Sequence, residues 1–397
     1  MLSTRFKFVG WALAHAVILK SMESAKSAVK KTLCPLCSLW LKKNVRKKEQ
    51  KLSEIYIDPK YKSILPLRET EKAIKEIKDY FEQTLAWNLN LQRVSAPLFV
   101  RKGSGINDDL NGIERKVTFQ IKDDAESDAE VVFSLAKWKR MVLADYGFNV
   151  GEGLYTDMNA IRPDEDSLDN LHSIYVDQWD WERVISPQQR NLDFLKDVVQ
   201  KIYNAVRETE THISKLYPAI KPILPKKIQF VHTEELLAMY PNLTPKQRED
   251  KIVAEYGAVF LIGIGGELAD GTIHDGRAPD YDDWTTPTTE GFKGLNGDIL
   301  LWYPILNKTF EISSMGIRVD KDAMLRQLAI RNASDRTKFD WHKRLVNGQL
   351  PLSIGGGIGQ SRLCMFLLRK IHVGEVHASI WPDDILKKAS NAGIKLL

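Results

Sequence analysis

The stretch Ile354–Leu363 reads IGGGIGQSRL. Four glycines fall within the five residues 355–359, and a serine, an arginine and an apolar run follow at once. Glycine allows a backbone to approach another group closely, so the question is what comes close here. A phosphate-cradling loop would end in Gly-Lys-Ser/Thr, and no lysine follows. A dinucleotide fold would place such a loop in its first strand–helix unit, with an acidic residue about 20 positions on. This stretch lies too near the C-terminal residue, Leu397, for that arrangement. What remains is either a backbone that approaches a ligand closely or a turn feeding a helix, with Arg362 just beyond, and the rest of the chain must say which.

At 397 residues, 43% hydrophobic and 27% charged, the chain can build one large core. No apolar run reaches the ~18 residues of a membrane helix, so no membrane span is expected. The net charge of +5 hides an asymmetry. Residues 1–51 hold 12 Lys and Arg against 2 Glu, which leaves the body negative. The body therefore has no overall nucleic-acid footprint. The expected organisation is a basic extension over 1–51 and one domain over 52–397. Phe8–Leu19, FVGWALAHAVIL, follows Arg5 and Lys7 and suits either a targeting segment or an extension without function. The expected location is the cytoplasm, with organellar targeting as the alternative. Of the three cysteines, Cys34 and Cys37 form a lone C-x-x-C without two further well-spaced ligands for zinc. Cys364 falls in the apolar run after the opening stretch, and so few cysteines fit a reducing compartment.

From about Leu52 the pattern becomes globular. Ile74, Ile77, Phe81 and Leu85 mark one face of a helix. LQRVSAPLFV reads as a strand that Pro97 confines to an edge or an end. Strand-like RKVTFQI and AEVVFS precede a helix, LAKWKRMVL. A long amphipathic helix starts near Asp193, a shorter one near Pro245, and a buried strand, AVFLIGIGG, follows the latter. Strands come in close pairs rather than alternating with helices, so the expected class is α+β on an antiparallel sheet flanked by helices.

Two hairpins carry the chemistry. In the first, a strand runs to Arg162, a polar loop begins at Pro163, and a second strand starts near Ser173. With period two, Tyr175, Asp177, Trp179 and Trp181 face one way and Val176, Gln178, Asp180 and Glu182 the other. The aromatic side suits a core. Closely spaced carboxylates on the other side repel, so the alternatives there are a cationic partner or a solvated sheet face. In the second hairpin Asp298 opens one strand, and Glu311, Ser313, Ser314 and Arg318 lie on its partner. Glu311 and Arg318 are seven apart and meet at one site only if the strand breaks, for which Gly316 is a suitable place. Asp298 and Glu311 offer hard oxygen ligands for Mg²⁺. Arginine forks and a divalent ion are what a triphosphate requires.

This arrangement resembles the class II aminoacyl-tRNA synthetase catalytic domain, with a helix and strand ending in proline, an arginine-bearing hairpin, and a Gly-rich strand entering a helix. The resemblance is closer to one offshoot, the ammonia-dependent asparagine synthetase family. DDLNGIER, SLAKWKR, GEGLYT, RPDED, HSIYVDQWDWERV, APDYDDW, LNGDIL, SSMGIRVD and IGGGIGQSRL occur here in order, from about Tyr61 to the end of the chain. Phe133, before SLAKWKR, is a departure where the family has histidine.

The resemblance implies ATP-dependent synthesis of asparagine from L-aspartate and ammonia through β-aspartyl-AMP, releasing AMP and pyrophosphate. It assigns Arg162 to the α-phosphate and Arg362 to the far end of ATP, with Ser313, Gly355 and Asp282 also on the nucleotide side. Mg²⁺ falls to Asp298 and Glu311. Asp108 and Asp180 are candidates for the substrate ammonium and for accepting a proton from ammonium ion. Lys139 and Arg318 are candidates for a carboxylate, and Ser134, Gln178 and Ser314 for hydrogen bonds. Glutamine as nitrogen donor would require a nucleophilic cysteine, and no cysteine is placed for that role. No tRNA partner is expected, and the resemblance implies a homodimer. The alternatives are a class II synthetase acting on tRNA and a catalytically inactive regulatory homologue.

Overall fold

The computed structural model describes residues 55–107, 115–165, 168–288 and 291–397. Phe8–Leu19, Cys34, Cys37 and Asp108 lie outside these residues. Ala73, Ile77, Phe81, Leu85 and Leu89 recur every fourth residue, and helix α1 (Leu67–Leu89) buries that stripe. Asn90 stops it in the left-handed region with φ 55°. The chain then forms two strands where the sequence suggests one: β1 (Leu91–Arg93) and β2 (Phe99–Arg101), with Pro97 between them. Each lies at the edge of a different sheet, because proline has no N–H to donate to a ladder.

β3 (Thr118–Ile121) and β4 (Asp124–Val131) complete a small sheet of order β2-β4-β3. Helix α2 (Ala136–Asp145) follows, then the hairpin β5 (Gly153–Ile161) and β6 (Tyr175–Val184). Asn191 accepts the Phe194 N–H and starts α3 (Leu192–Leu216). Next come β7 (Gln229–His232), α4 (Thr233–Met239) and α5 (Pro245–Tyr256), the last opened by a Thr244/Gln247 capping box. β8 (Ala258–Ile262), β9 (Asn296–Tyr303), β10 (Lys308–Ile317), α6 (Lys321–Ile330) and α7 (Asp340–Val346) lead to β11 (Ser353–Gly359) and α8 (Gln360–Leu367). α9 (Asp383–Asn391) is last. Among the described residues no helix is long and apolar enough to cross a membrane.

The main sheet has eight strands in the order β1-β5-β6-β11-β10-β9-β8-β7. β1/β5 and β7/β8 pair in parallel and the other neighbours antiparallel. One face carries Trp179, Trp181, Phe260 and Phe310 and packs under α1, α3 and α8 in the main core. The opposite face is buried too, in smaller apolar clusters under α2 and α5. Glu182 is fully buried there and Asp180 is 3% exposed, so this is no solvated face. The register slip that brings Glu311 and Arg318 to one side lies between Glu311 and Ser313, not at Gly316. Gly316 stays in register with Asn296 and Gly355.

Candidate active site

β11 lies between β6 and β10, and its register explains the glycines. Gly355 is opposite Glu182, Gly357 opposite Asp180, and Gly359 opposite Gln178. A Cβ on Gly355 would collide with the Glu182 carboxylate and stand 2.7 Å from Arg318 Nη2. A Cβ on Gly357 would collide with Gln178 and stand 2.8 Å from Asp180 Oδ1. The glycines thus make room for polar side chains from the neighbouring strands. Gly356 and Gly357, rather than Gly355, line the cavity.

Each buried carboxylate on β6 has its own cation. Lys139 of α2, 1% exposed, lies 2.9 Å from Asp180 Oδ2 and also donates to the Gly356 carbonyl at 2.9 Å. Arg318 clasps Glu182 through Nε at 3.0 Å and Nη2 at 2.8 Å, and its Nη1 bonds Asp282. Asp282 is therefore a buried partner of Arg318 while still lining the cavity. Burial lowers the Lys139 amine from its ordinary value, offset in part by Asp180 and Glu182. Burial opposes the Arg318 charge, but Glu182 and Asp282 outweigh it and hold that guanidinium above its ordinary value. Burial would raise Glu182, yet Arg318 and Lys139 hold it below the usual carboxylate range. Buried ion pairs of this kind do little for stability relative to an apolar core. Their presence marks a site that needs charge in fixed places.

Lys139, Asp180, Asp282 and Arg318 floor a cavity of about 420 Å³, with Glu182 beneath them. Ser134, Gln178, Ser313, Ser314, Glu311 and both remaining arginines line it. Arg162 makes one long bond to the Phe133 carbonyl, at 3.4 Å, and among the described residues no carboxylate pairs with it. Its Nε is buried without a partner. Arg362 donates to the Glu311 carbonyl at 3.1 Å and lies 3.7 Å from Glu311 Oε2, with 27% of its side chain exposed. Asp180 Oδ1 is buried with no hydrogen-bond partner. Among the described residues the cavity thus offers one arginine without a carboxylate partner, Arg162, one loosely paired with Glu311, Arg362, and an unengaged carboxylate oxygen in its floor. Phe133 is fully buried, and its contacts to Asn107 and Arg162 run through its backbone.

Asp298 does not reach the cavity wall, because Arg277 holds it. Burial, with Glu311 and Asp275 nearby, pushes its carboxyl up to about 7 despite Arg277. Burial would raise Glu311 as well, but Arg362, Lys246 and Arg277 hold it below its ordinary value. Among the described residues no three His, Cys, Asp or Glu side chains gather closely enough to cage a metal. Mutually repelling carboxylates without a full cage fit an ion of the Mg²⁺ type, which takes one or two carboxylates and fills its shell with substrate oxygens and water.

The sequence profile of the aspartate–ammonia ligase family matches residues 68–393. A relative of that description from Parabacteroides distasonis is 60% identical over 85% of this chain and 97% of its own length. One from Bacteroides thetaiotaomicron is 59% identical over 86% and 99%. The chain belongs to the aspartate–ammonia ligase family. Its fold is similar to an asparaginyl-tRNA synthetase of Pyrococcus horikoshii complexed with asparaginyl-adenylate, with a TM-score of 0.59, 16% identity and coverage of 79% and 70%. An Entamoeba histolytica asparaginyl-tRNA synthetase gives 0.56, 17%, and 78% and 67%. The expected class II α+β fold is thus the observed one.

Sequence reasoning missed several charged groups in and beside the ligase's cavity. Arg277 and Lys246 sit among the acidic group of Asp275, Asp298 and Glu311, and nothing in their local sequence announces it. Asp177, Ser361 and His377 form a buried network at another wall, joined by the half-buried Lys78. Asp177 lies on the aromatic face of β6, where alternation suggests core. Cys364 is buried, and burial pushes its thiol up to about 12, the reverse of an activated nucleophile.

Proposed function

We propose that this aspartate–ammonia ligase makes L-asparagine from L-aspartate, free ammonia and ATP through β-aspartyl-AMP. The observation that carries the reading is the asymmetry of one cavity: paired charges buried in its floor, and at its rim Arg162, with no carboxylate partner among the described residues, and Arg362, held by a 3.7 Å pair with Glu311. A carboxylate does not accept ammonia, since oxide would have to leave. Attack of the aspartate β-carboxylate on the α-phosphorus of ATP expels pyrophosphate and gives an acyl phosphate. Ammonia then adds to the acyl carbon, AMP leaves, and the surplus proton passes to a base.

Arg162 stands ready to stabilise charge on the α-phosphate, a contribution of roughly 3–4 kcal/mol in comparable oxyanion sites. Arg362 takes the far phosphates. Ser134, Gln178 and Ser314 orient aspartate, with Lys139 and Arg318 facing a substrate carboxylate. Asp180 Oδ1, buried and unpartnered, suits the substrate ammonium or the proton from ammonium ion. Asp108 remains its rival for either role. Mg²⁺ held by Glu311, with Asp298 joining once it leaves Arg277, would offset phosphate charge. Ser313 and Asp282 are proposed on the nucleotide side. The enzyme is further proposed to be a homodimer acting in the cytoplasm without tRNA.

The test is asparagine formation from aspartate and ATP with ammonium or glutamine as donor, counting AMP, ADP, pyrophosphate and phosphate. One AMP and one pyrophosphate per asparagine, with ammonium alone active, is the expected result. ADP formation, or a requirement for tRNA or glutamine, overturns the reading.

A further inference from the structure

Side chains from two other elements converge on the Ser361 hydroxyl, and a third supports one of them. Asp177 of β6 accepts the Ser361 backbone N–H at 3.0 Å through Oδ1 and the Ser361 hydroxyl at 2.7 Å through Oδ2. His377, in the loop before α9, places Nδ1 2.6 Å from Ser361 Oγ. Its Nε2 lies 2.9 Å from the Tyr175 carbonyl, which can only accept, so that nitrogen carries a proton. The ring stacks on Tyr175 with centroids 4.5 Å apart. Lys78 of α1 donates to Asp177 Oδ2 at 3.1 Å. Asp177, Ser361 and His377 are 8%, 4% and 5% exposed.

Ser361 is the second residue of α8. The first turn of a helix leaves N–H groups without partners, and Gly359, the residue before α8, has no side chain to cap one. Asp177 supplies the missing acceptor from the next strand. The next residue along is Arg362. Its side chain is long and held only by the Glu311 carbonyl and a 3.7 Å ion pair, so its aim depends on its backbone.

We propose that Asp177 and His377 are positioning residues that lock the first turn of α8 through Ser361 and so aim Arg362 at the phosphate end of ATP. The inference rests on the proposed use of ATP by this cavity. A clamp of this kind acts selectively on the nucleotide, whereas a merely structural contact would weaken every substrate alike.

The experiment measures steady-state constants and calorimetric affinity for a non-hydrolysable ATP analogue. His377→Ala should raise KM for ATP and weaken the analogue by about tenfold, as expected for one lost hydrogen bond in a charged network. KM for aspartate should stay within about twofold. His377→Asn, whose side-chain amide can still hydrogen-bond to the Ser361 hydroxyl oxygen, should restore most of the loss. Ser361→Ala removes only the hydroxyl and should reproduce the ATP-selective effect even if His377→Ala does not fold. If the clamp acts through Arg362, His377→Ala/Arg362→Ala should bind the analogue no more weakly than Arg362→Ala alone. Additive losses, or equal losses for ATP and aspartate, overturn the inference and leave the ATP reading standing. Wild-type enzyme that neither binds the analogue nor consumes ATP overturns both.

Discussion

A Cβ on Gly357 would lie 2.8 Å from Asp180 Oδ1 and collide with the Gln178 amide. Gly357→Ala should therefore cost about 1–3 kcal/mol in overpacking and displace two groups proposed to touch aspartate. Chemical denaturation would give the first effect and KM for aspartate the second. A variant with unaltered KM for aspartate would show that the two side chains do not contact the substrate. At this scale the sequence is partly legible. Period two places Asp180 and Glu182 together and demands positive charge, but not which cation answers. Arg318 lies 136 residues from Glu182, and sheet order alone brings them to 2.8 Å. The opening glycines read as a close approach, which is what they provide. What approaches Gly355 and Gly357 is a neighbouring strand's side chains.

At the scale of elements, the turn Val373–Glu375 behind the cavity is capped by His372, whose Nδ1 accepts the Gly374 N–H at 3.0 Å. The ring is 1% exposed, and burial lowers its pKa from 6.5 to about 4. The unfolded chain therefore binds the extra proton first as pH falls. Stability on this account is unaffected above pH ~6.5 and declines between ~6.5 and ~4, by up to about 3 kcal/mol. His372→Asn keeps a capping acceptor and cannot titrate. Its urea-unfolding stability should fall less than the wild type's between pH 6.5 and 4.5, whereas parallel curves would show that the ring does not titrate with folding. Elements themselves are legible where one physical signal dominates, as in the fourfold stripe of α1 and the capping box of α5. They are illegible where tertiary pairing decides. Gly316 is suited to a bulge, yet its bare Cα is already used by Asn296 and Asp282. The extra residue falls beside Ile312 instead, and this brings Glu311 and Arg318 onto one face.

At the scale of the molecule, α1 ends with Trp87 87% exposed, an unusual place for an indole. If the proposed homodimer covers this helix, wild-type protein should sediment at about twice 45.3 kDa at micromolar concentration, and Trp87→Glu should shift it toward the monomer. A wild type sedimenting at 45.3 kDa would exclude the dimer. The basic extension calls for the opposite expectation. Residues 1–51 carry 12 Lys and Arg against 2 Glu and supply none of the side chains proposed for the reaction. Protein starting at Leu52 should keep turnover and both substrate KM values within about twofold of full-length enzyme, since distant, non-contacting groups contribute independently. What should change is attraction to anionic surfaces, measured as retention on a phosphate-bearing resin. That retention should weaken in full-length protein as salt rises and be largely absent from the truncated form. Loss of adenylation on truncation would instead make the extension part of the active enzyme.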